Sequence, residues 1–280
     1  MLLCPVCGNQ LEQKDGSYRC IKGHCFDISS TGYVNLLLSG GKASGVHGDS
    51  KEMVRARQDF LSKGYYSFLS EEVNRIALGF LKGSPAPVVA DVGCGEGYYT
   101  GSLCTFLRDH RVEAQVYGFD IAKYALQLAA KRCRQVTYAV ASLSKIPLPS
   151  HSVDLLVDIF APYSNTEFNR VVRTGGHIIT AVPAEQHLFG LKKTLYESPY
   201  ENVVKPYDLE GFEPVEIRRI RRDAQLNSQD DIFNLFMMTP YYWKTSREAV
   251  ERLKRLDKLD TAMEFAIITY QKVHDRTGAK

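Results

Sequence analysis

From residue 87 onward, short apolar runs alternate with stretches whose apolar residues recur at helical spacing. Strand-like runs fall at 87–92, 115–120, 135–140, 153–160, 176–182, 212–220 and 262–271. Helical spacing falls near 97–108, 122–132, 164–172, 187–197, 229–238 and 246–256. This order predicts an α/β fold, a doubly wound seven-stranded sheet with right-handed crossovers. Upstream, Asp49 or Ser50 caps a predicted helix over Lys51–Leu61, with Met53, Val54, Phe60 and Leu61 on one stripe. Gly64-Tyr65-Tyr66 breaks it, and Phe68 to Leu81 reads as a second amphipathic helix. Earlier still the periodicity thins. Residues 32–38 read as one more strand or an extended segment, and the glycine-rich stretch 40–48 as a flexible linker. The expected division is a ribbon over residues 1–38, a linker over 39–50, and a large domain with a helical N-terminal extension over 51–280.

A chain of 280 residues has room for one large domain and a small one, since single cores stop growing near ~250–300 residues. Hydrophobic residues make up 44% and charged residues 24%, ordinary for a water-soluble protein. No apolar run approaches the ~20 residues of a membrane helix, and the start lacks a signal-peptide pattern. A cytoplasmic protein with no membrane partner is therefore expected. The net charge of +3 is too small to argue by itself for a nucleic-acid partner. Cysteine usage changes the picture more, because four of the seven lie within the first 25 residues. In a reducing compartment such clustering favours a metal over disulfides.

Cys4, Cys7, Cys20 and His24 give the spacing C-x2-C-x12-C-x3-H. Two thiolates on a tight knuckle, with Gly8 permitting the turn, and a second pair closing a tetrahedron suit structural Zn2+. Cys25 is the other candidate for the fourth position. His24 is preferred because Cys25 heads Phe26-Asp27-Ile28, which reads as a packed strand. Unliganded, so short a segment with few aliphatic residues would fold poorly.

The second chemical signal is Asp91-Val92-Gly93-Cys94-Gly95-Glu96-Gly97, between the apolar run 88–90 and a helix start. A strand, a glycine turn and a helix form the nucleoside-cradling corner of an α/β sheet. Tyr98 stands where a dinucleotide fingerprint wants its third glycine, and Asp91 would repel a pyrophosphate. Both departures suit S-adenosylmethionine, which carries a sulfonium and no phosphate. Asp120 ends the next predicted strand, 23 residues past Gly97, where a carboxylate can accept from both ribose hydroxyls. The sequence thus reads as a Rossmann-like S-adenosylmethionine-dependent methyltransferase, against the plainer alternative of a tight turn with no ligand. Ser142 follows the third strand, as an adenine contact or a helix cap. The turn after the fourth strand, Ala161-Pro162-Tyr163, contains neither Asn-Pro-Pro-Tyr nor a cysteine nucleophile, which disfavours exocyclic adenine and C5-pyrimidine methylation. Asp158 in that strand is a structural group or a general base, and the catalytic residue is otherwise unassigned. Arg218, Arg219, Arg221 and Arg222, with Lys192 and Lys193, form either an RNA-facing patch or a solvated strand end. The aromatic residues of 234–243 are a substrate-side wall or core.

With these pieces placed, the chain resembles the RlmA family of bacterial 23S rRNA guanine-N1 methyltransferases essentially end to end. The resemblance is carried by the Cys4/Cys7/Cys20/His24 ribbon, Gly32-Tyr33-Val34-Asn35-Leu36-Leu37, Gly48-Asp49-Ser50, the 91–99 turn, Ala161-Pro162 and Met238-Thr239-Pro240. A ribbon joined to this turn is far more specific than either half. It implies Zn2+ on the four ribbon residues and S-adenosylmethionine against Tyr66, Gly95, Glu96 and His187, beside Asp91, Gly93, Gly97 and Asp120. It further implies a homodimer that recognises a 23S rRNA hairpin loop near the peptide exit tunnel. Ile159-Phe160-Ala161-Pro162 and residues 167–172 look like the Gram-positive second branch, associated with macrolide (tylosin-type) resistance. Two rival classes are a small-molecule methyltransferase of the quinone-precursor type, and an RNA-binding assembly factor keeping a vestigial cofactor site.

Overall fold

The computed structural model describes residues 1–38 and 48–273. Of the linker expected over 39–50, residues 39–47 lie outside the described residues. At the N-terminus β1 (Leu11–Lys14), β2 (Ser17–Cys20) and β3 (Cys25–Asp27) form an antiparallel three-stranded sheet. Its first hairpin turns on Asp15 and Gly16, both at positive φ (47° and 74°). That pair matches the right-handed twist of the flanking strands.

The segment read as a strand or an extended piece resolves into β4 (Tyr33–Asn35), which pairs in parallel with the far edge of the large sheet. Then follow α1 (Lys51–Ser62), capped by Ser50 through the Met53 N–H, and α2 (Ser67–Leu81). The alternating part comprises β5 (Val88–Val92), α3 (Tyr98–Asp109), β6 (Gln115–Asp120), α4 (Lys123–Arg132), β7 (Thr137–Val140) and β8 (Val153–Ile159). It continues through α5 (Asn165–Val171), β9 (Val172–Pro183), α6 (Phe189–Leu195), β10 (Phe212–Leu226), α7 (Gln229–Met237), α8 (Arg247–Lys254) and β11 (Leu259–Lys272).

The strand order β10-β11-β9-β8-β5-β6-β7-β4 contains the seven expected strands, doubly wound, with β4 added as an eighth. Strand order reverses between β5 and β8, so the crevice at their carboxyl ends is where such a sheet receives ligands. β5 is buried along its whole length, which explains the apolar run 88–90 that precedes Asp91. β10 reaches six residues beyond its predicted end because most of its side chains face solvent at the sheet edge. Its polar residues hide the strand from a hydrophobicity pattern, while a ladder from Phe212↔Lys272 to Leu226↔Leu259 holds it.

The core lies on both faces of the sheet. On one, α1–α4, α6 and α7 bury Phe60, Leu69, Val73, Leu103, Leu126, Leu191 and Phe236. On the other, Phe168, Val171, Ile178 and Ile268 join Leu2, Leu11 and Leu36 of the N-terminal segment. The ribbon is therefore packed into the large domain's second core layer. The Leu3 N–H donates to the Pro147 carbonyl at 2.9 Å, and Lys145 Nζ to the Pro5 carbonyl at 3.0 Å. No helix among the described residues is long and apolar enough to cross a membrane.

Candidate cofactor and metal sites

The ribbon brings its four polar residues together. Cys4 Sγ and Cys20 Sγ lie 3.5 and 3.3 Å from His24 Nδ1, and Cys7 Sγ lies 3.6 Å from Cys20 Sγ. All four ligand atoms fall within 4.8 Å of one another. A tetrahedral ion with bonds of about 2.3 Å to sulfur and 2.0–2.1 Å to nitrogen needs edges of about 3.4–3.8 Å, so the set fits zinc. The Asn9 backbone N–H holds the Cys7 thiol down to about 6, which favours the ligating thiolate. Cys25 is exposed at the start of β3 and lies outside the set, whereas His24, in the connection before it, is turned towards the cysteines.

At the end of β5 the chain must turn at once into α3, and three glycines at positive φ make the turn (Gly93 73°, Gly95 54°, Gly97 80°). They answer to different neighbours. A side chain at Gly93 would drive into Ala161. One at Gly97 would meet Ala129 Cβ at 2.8 Å and the Tyr138 hydroxyl at 2.9 Å. At Gly95, among the described residues, only Arg57 Nη1 comes within reach, at 3.7 Å, leaving a cradle open to a ligand. The Gly95 N–H donates to Asp120 Oδ2 at 2.9 Å and the Ala122 N–H to Oδ1 at 2.8 Å. Both bonds anchor the carboxylate at the carboxyl end of β6, while burial pushes its pKa up.

Asp91 sits on β5 behind the turn and accepts from the Thr100 hydroxyl. Burial raises its carboxyl to about 7, with Thr100 opposing. Its position ties β5 to the first turn of α3 and keeps it off the open cradle. Glu96 is almost fully buried, and its carboxylate pairs with Arg132 of α4 at 2.7 Å. Burial raises its pKa while Arg132 lowers it.

Tyr66 and His187 are 121 residues apart in sequence and meet with Oη 3.5 Å from Nε2. The ring of Phe265 packs on both, at 4.8 and 4.6 Å between centroids. Burial holds the His187 imidazole down to about 3, with Lys192 adding to the effect. The Glu264 N–H donates to its Nδ1 at 3.2 Å. This neutral histidine is held between Tyr66, Phe265 and the Glu264 backbone. Phe160, Phe265 and Arg57 complete the surroundings. Only long-range packing reveals the roles of Phe265 and Arg57, while Phe160 stands next to the Ala161-Pro162 pair singled out above.

Other sequence candidates resolve differently. The Ser142 hydroxyl is 2.7 Å from that of Ser144 and accepts from the Ser144 N–H at 3.2 Å, a local turn. Three of the four arginines of the run pair with carboxylates within the chain. Arg218 pairs with Glu72 and Glu216, Arg219 with Glu185 and Arg221 with Asp223. Arg222 lies over the Phe68 ring at 4.6 Å. Lys192 is buried, donating to the Tyr200 carbonyl and Asn202 Oδ1, and does not belong to a surface patch. In the aromatic segment Phe236 is core and Trp243 is 69% exposed.

The open glycine cradle and the carboxylate anchored beside it fit S-adenosylmethionine. Residues 2–44 match the family model described as "RlmA, N-terminal", and residues 90–180 the one described as "Methyltransferase domain". A protein of Micromonospora griseorubida, provisionally named a 23S rRNA (guanine-N(1)-)-methyltransferase, is 32% identical over 265 residues, covering 87% of each chain. The chain belongs to the RlmA family. A similarly named protein of Bacillus subtilis (strain 168) is 29% identical over 284 residues, 97% of both chains. The 23S rRNA (guanine(748)-N(1))-methyltransferase of Streptomyces fradiae is 28% identical over 260 residues, 90% of this chain and 89% of that one. As an RlmA-family member the protein is an S-adenosylmethionine-dependent methyltransferase with a zinc-binding ribbon.

Proposed function

We propose that the protein transfers a methyl group from S-adenosylmethionine to N1 of one guanine in a hairpin loop of 23S rRNA. The observation that carries this reading is the ribbon packed into the core of a methyltransferase whose cofactor turn is intact. A small-molecule enzyme has no evident need of the ribbon, and the preserved Gly95–Asp120 geometry argues against a vestigial cofactor site. The cofactor residues in this reading are Tyr66, Asp91, Gly93, Gly95, Glu96, Gly97, Asp120 and His187. Gly95 and Asp120 contact the ligand, Tyr66 and His187 wall the pocket, and Asp91, Gly93, Gly97 and Glu96 hold the turn.

When bound, the cofactor supplies an electrophilic sulfonium methyl. Guanine N1 carries a proton, so its lone pair is free only as that proton leaves. The base must be flipped from its stack and held with N1 in line with the methyl, at about 3 Å. The crevice walls of Tyr66, His187 and Phe265 exclude water, which favours a step in which the sulfonium charge is lost. Asp158, at the end of β8, is the group in this reading that takes the proton. Its Oδ1 accepts from the Ala161 N–H at 3.2 Å, and its Oδ2 has no partner among the described residues. Burial pushes its carboxyl up to about 8, within range of general-base work on a weakly acidic N–H.

The named target of the Streptomyces fradiae relative leads us to expect a guanine of the same loop, with the macrolide connection that the second branch implies. A homodimer is part of the reading, supported by the long edge strand β10 with Val215 and Ile217 exposed. The deciding experiment is methyl transfer from labelled S-adenosylmethionine to unmodified 23S rRNA, with nucleoside mass analysis and reverse-transcription mapping. A 1-methylguanosine stop in one hairpin loop is expected. No label in RNA, from protein that binds cofactor and zinc, would overturn the reading in favour of a small-molecule substrate.

A further inference from the structure

Phe160 follows β8 with φ at 60°, a left-handed conformation that a bulky L residue rarely adopts. The surrounding turn fixes it from both sides. Its own N–H donates to the Ala181 carbonyl at 3.2 Å, and the next N–H, of Ala161, goes to Asp158. Ala161 in turn occupies the space that a side chain at Gly93 would need, locking this turn to the cofactor turn.

The conformation has a cost and a visible result. The ring lies beside Phe265, Tyr66 and Tyr99, with centroids 5.4, 6.5 and 6.4 Å away, yet it remains 42% exposed while Phe265 and Tyr66 are buried. Apolar burial alone would turn it inwards. Instead the backbone holds an aromatic ring outward at the carboxyl end of β8, on the crevice where strand order reverses. Tyr163, the other exposed aromatic of this turn, already stacks on Tyr207 at 4.3 Å.

From this geometry we infer that Phe160 is the platform on which the extruded purine stacks, a positioning residue that sets the base plane against the cofactor turn. The inference rests on the rRNA-guanine reading above. An exposed ring whose inner side is backed by Phe265, Tyr66 and Tyr99 suits one face of a flat heteroaromatic. No bond is made or broken by Phe160.

The test compares the whole protein with its Phe160→Ala, Phe160→Leu and Phe160→Tyr variants. Cofactor affinity is measured by calorimetry, and single-turnover methyl transfer on an unmodified 23S rRNA hairpin. Quenching of 2-aminopurine at the target position reports stacking. Phe160→Ala is expected to bind cofactor within about twofold of the wild type while losing transfer roughly 5- to 150-fold, the range for removing a base-stacking aromatic. Phe160→Tyr should recover transfer and quenching. Phe160→Leu, which keeps bulk and so guards against misfolding, should not. Unchanged transfer in Phe160→Ala and Phe160→Leu would overturn the inference, and so would a parallel loss of cofactor affinity, which would place the ring in the cofactor pocket. Failure of the wild type to methylate the hairpin would overturn the parent reading and this inference with it. Normal wild-type transfer with insensitive variants overturns this inference alone.

Discussion

Gly95 and Gly97 are two positions apart and serve different masters. A methyl at Gly97 meets Ala129 and Tyr138 at 2.8–2.9 Å with φ at 80°, so Gly97→Ala combines backbone strain with overpacking. It should cost about 2–5 kcal/mol, read as a lowered Tm. Among the described residues Gly95→Ala meets almost nothing, so it should cost about 1 kcal/mol in stability yet weaken cofactor binding at least tenfold by calorimetry. Two buried titratable residues set opposite pH trends. His187 stays neutral in the fold down to about 3, so in the window from there to its ordinary 6.5 only the unfolded chain binds the proton. Its stabilising contribution is therefore present above 6.5 and lost as pH falls, and thermal melts of His187→Gln should decline less from pH 7 to 4 than those of the wild type. Asp158 has its folded pKa raised to about 8 from 3.8, so its stability is full below 3.8 and lost as pH rises through 8. Asp158→Asn should therefore gain in Tm relative to the wild type from pH 5 to 9, while losing methyl transfer with cofactor affinity retained.

At the scale of elements, the ribbon and β10 show charge and metal doing structural service. The three short strands of the ribbon hold only 11 residues between them, and its cysteines reach into a core layer shared with β5–β9. One zinc per chain is expected by metal analysis. Stripping it with a chelator, or replacing His24 with Ala, should lower the melting temperature of the whole protein and not only that of the first 38 residues. On β10, Arg219 and Arg221 are each matched by a carboxylate, so they have little free charge to offer phosphate. Replacing both with Ala should leave the salt dependence of rRNA binding unchanged. A pair of true phosphate contacts would lower the slope by about two.

At the scale of the whole molecule, the fold is a doubly wound sheet extended at one edge by the N-terminal segment and at the other by a long antiparallel ladder. The glycine turn, Asp120 and the cluster of Cys4, Cys7, Cys20 and His24 were legible in the sequence because each is a local device. A strand-to-helix corner, a carboxylate ending the next strand and a metal knuckle are each written within a few tens of residues, in residue types that few other structures require. The strand-helix alternation was legible for the same reason, since buried strands and amphipathic helices leave their own periods. What lay beyond it was every relation between distant segments. β4 joins β7 across about a hundred residues, and Tyr66 meets His187 across more. The arginines of β10 find their carboxylates on α2 and in the turn after β9, and Phe160 is held outward by its neighbours' backbone bonds. None of these leaves a periodic trace, because a side chain's partner across the fold is set by strand order and packing. The sequence by itself determined the elements and the chemistry they carry. Only the tertiary structure decided which charges are spent on one another and which groups are left for a ligand, because close approach in space depends on how the sheet is wound.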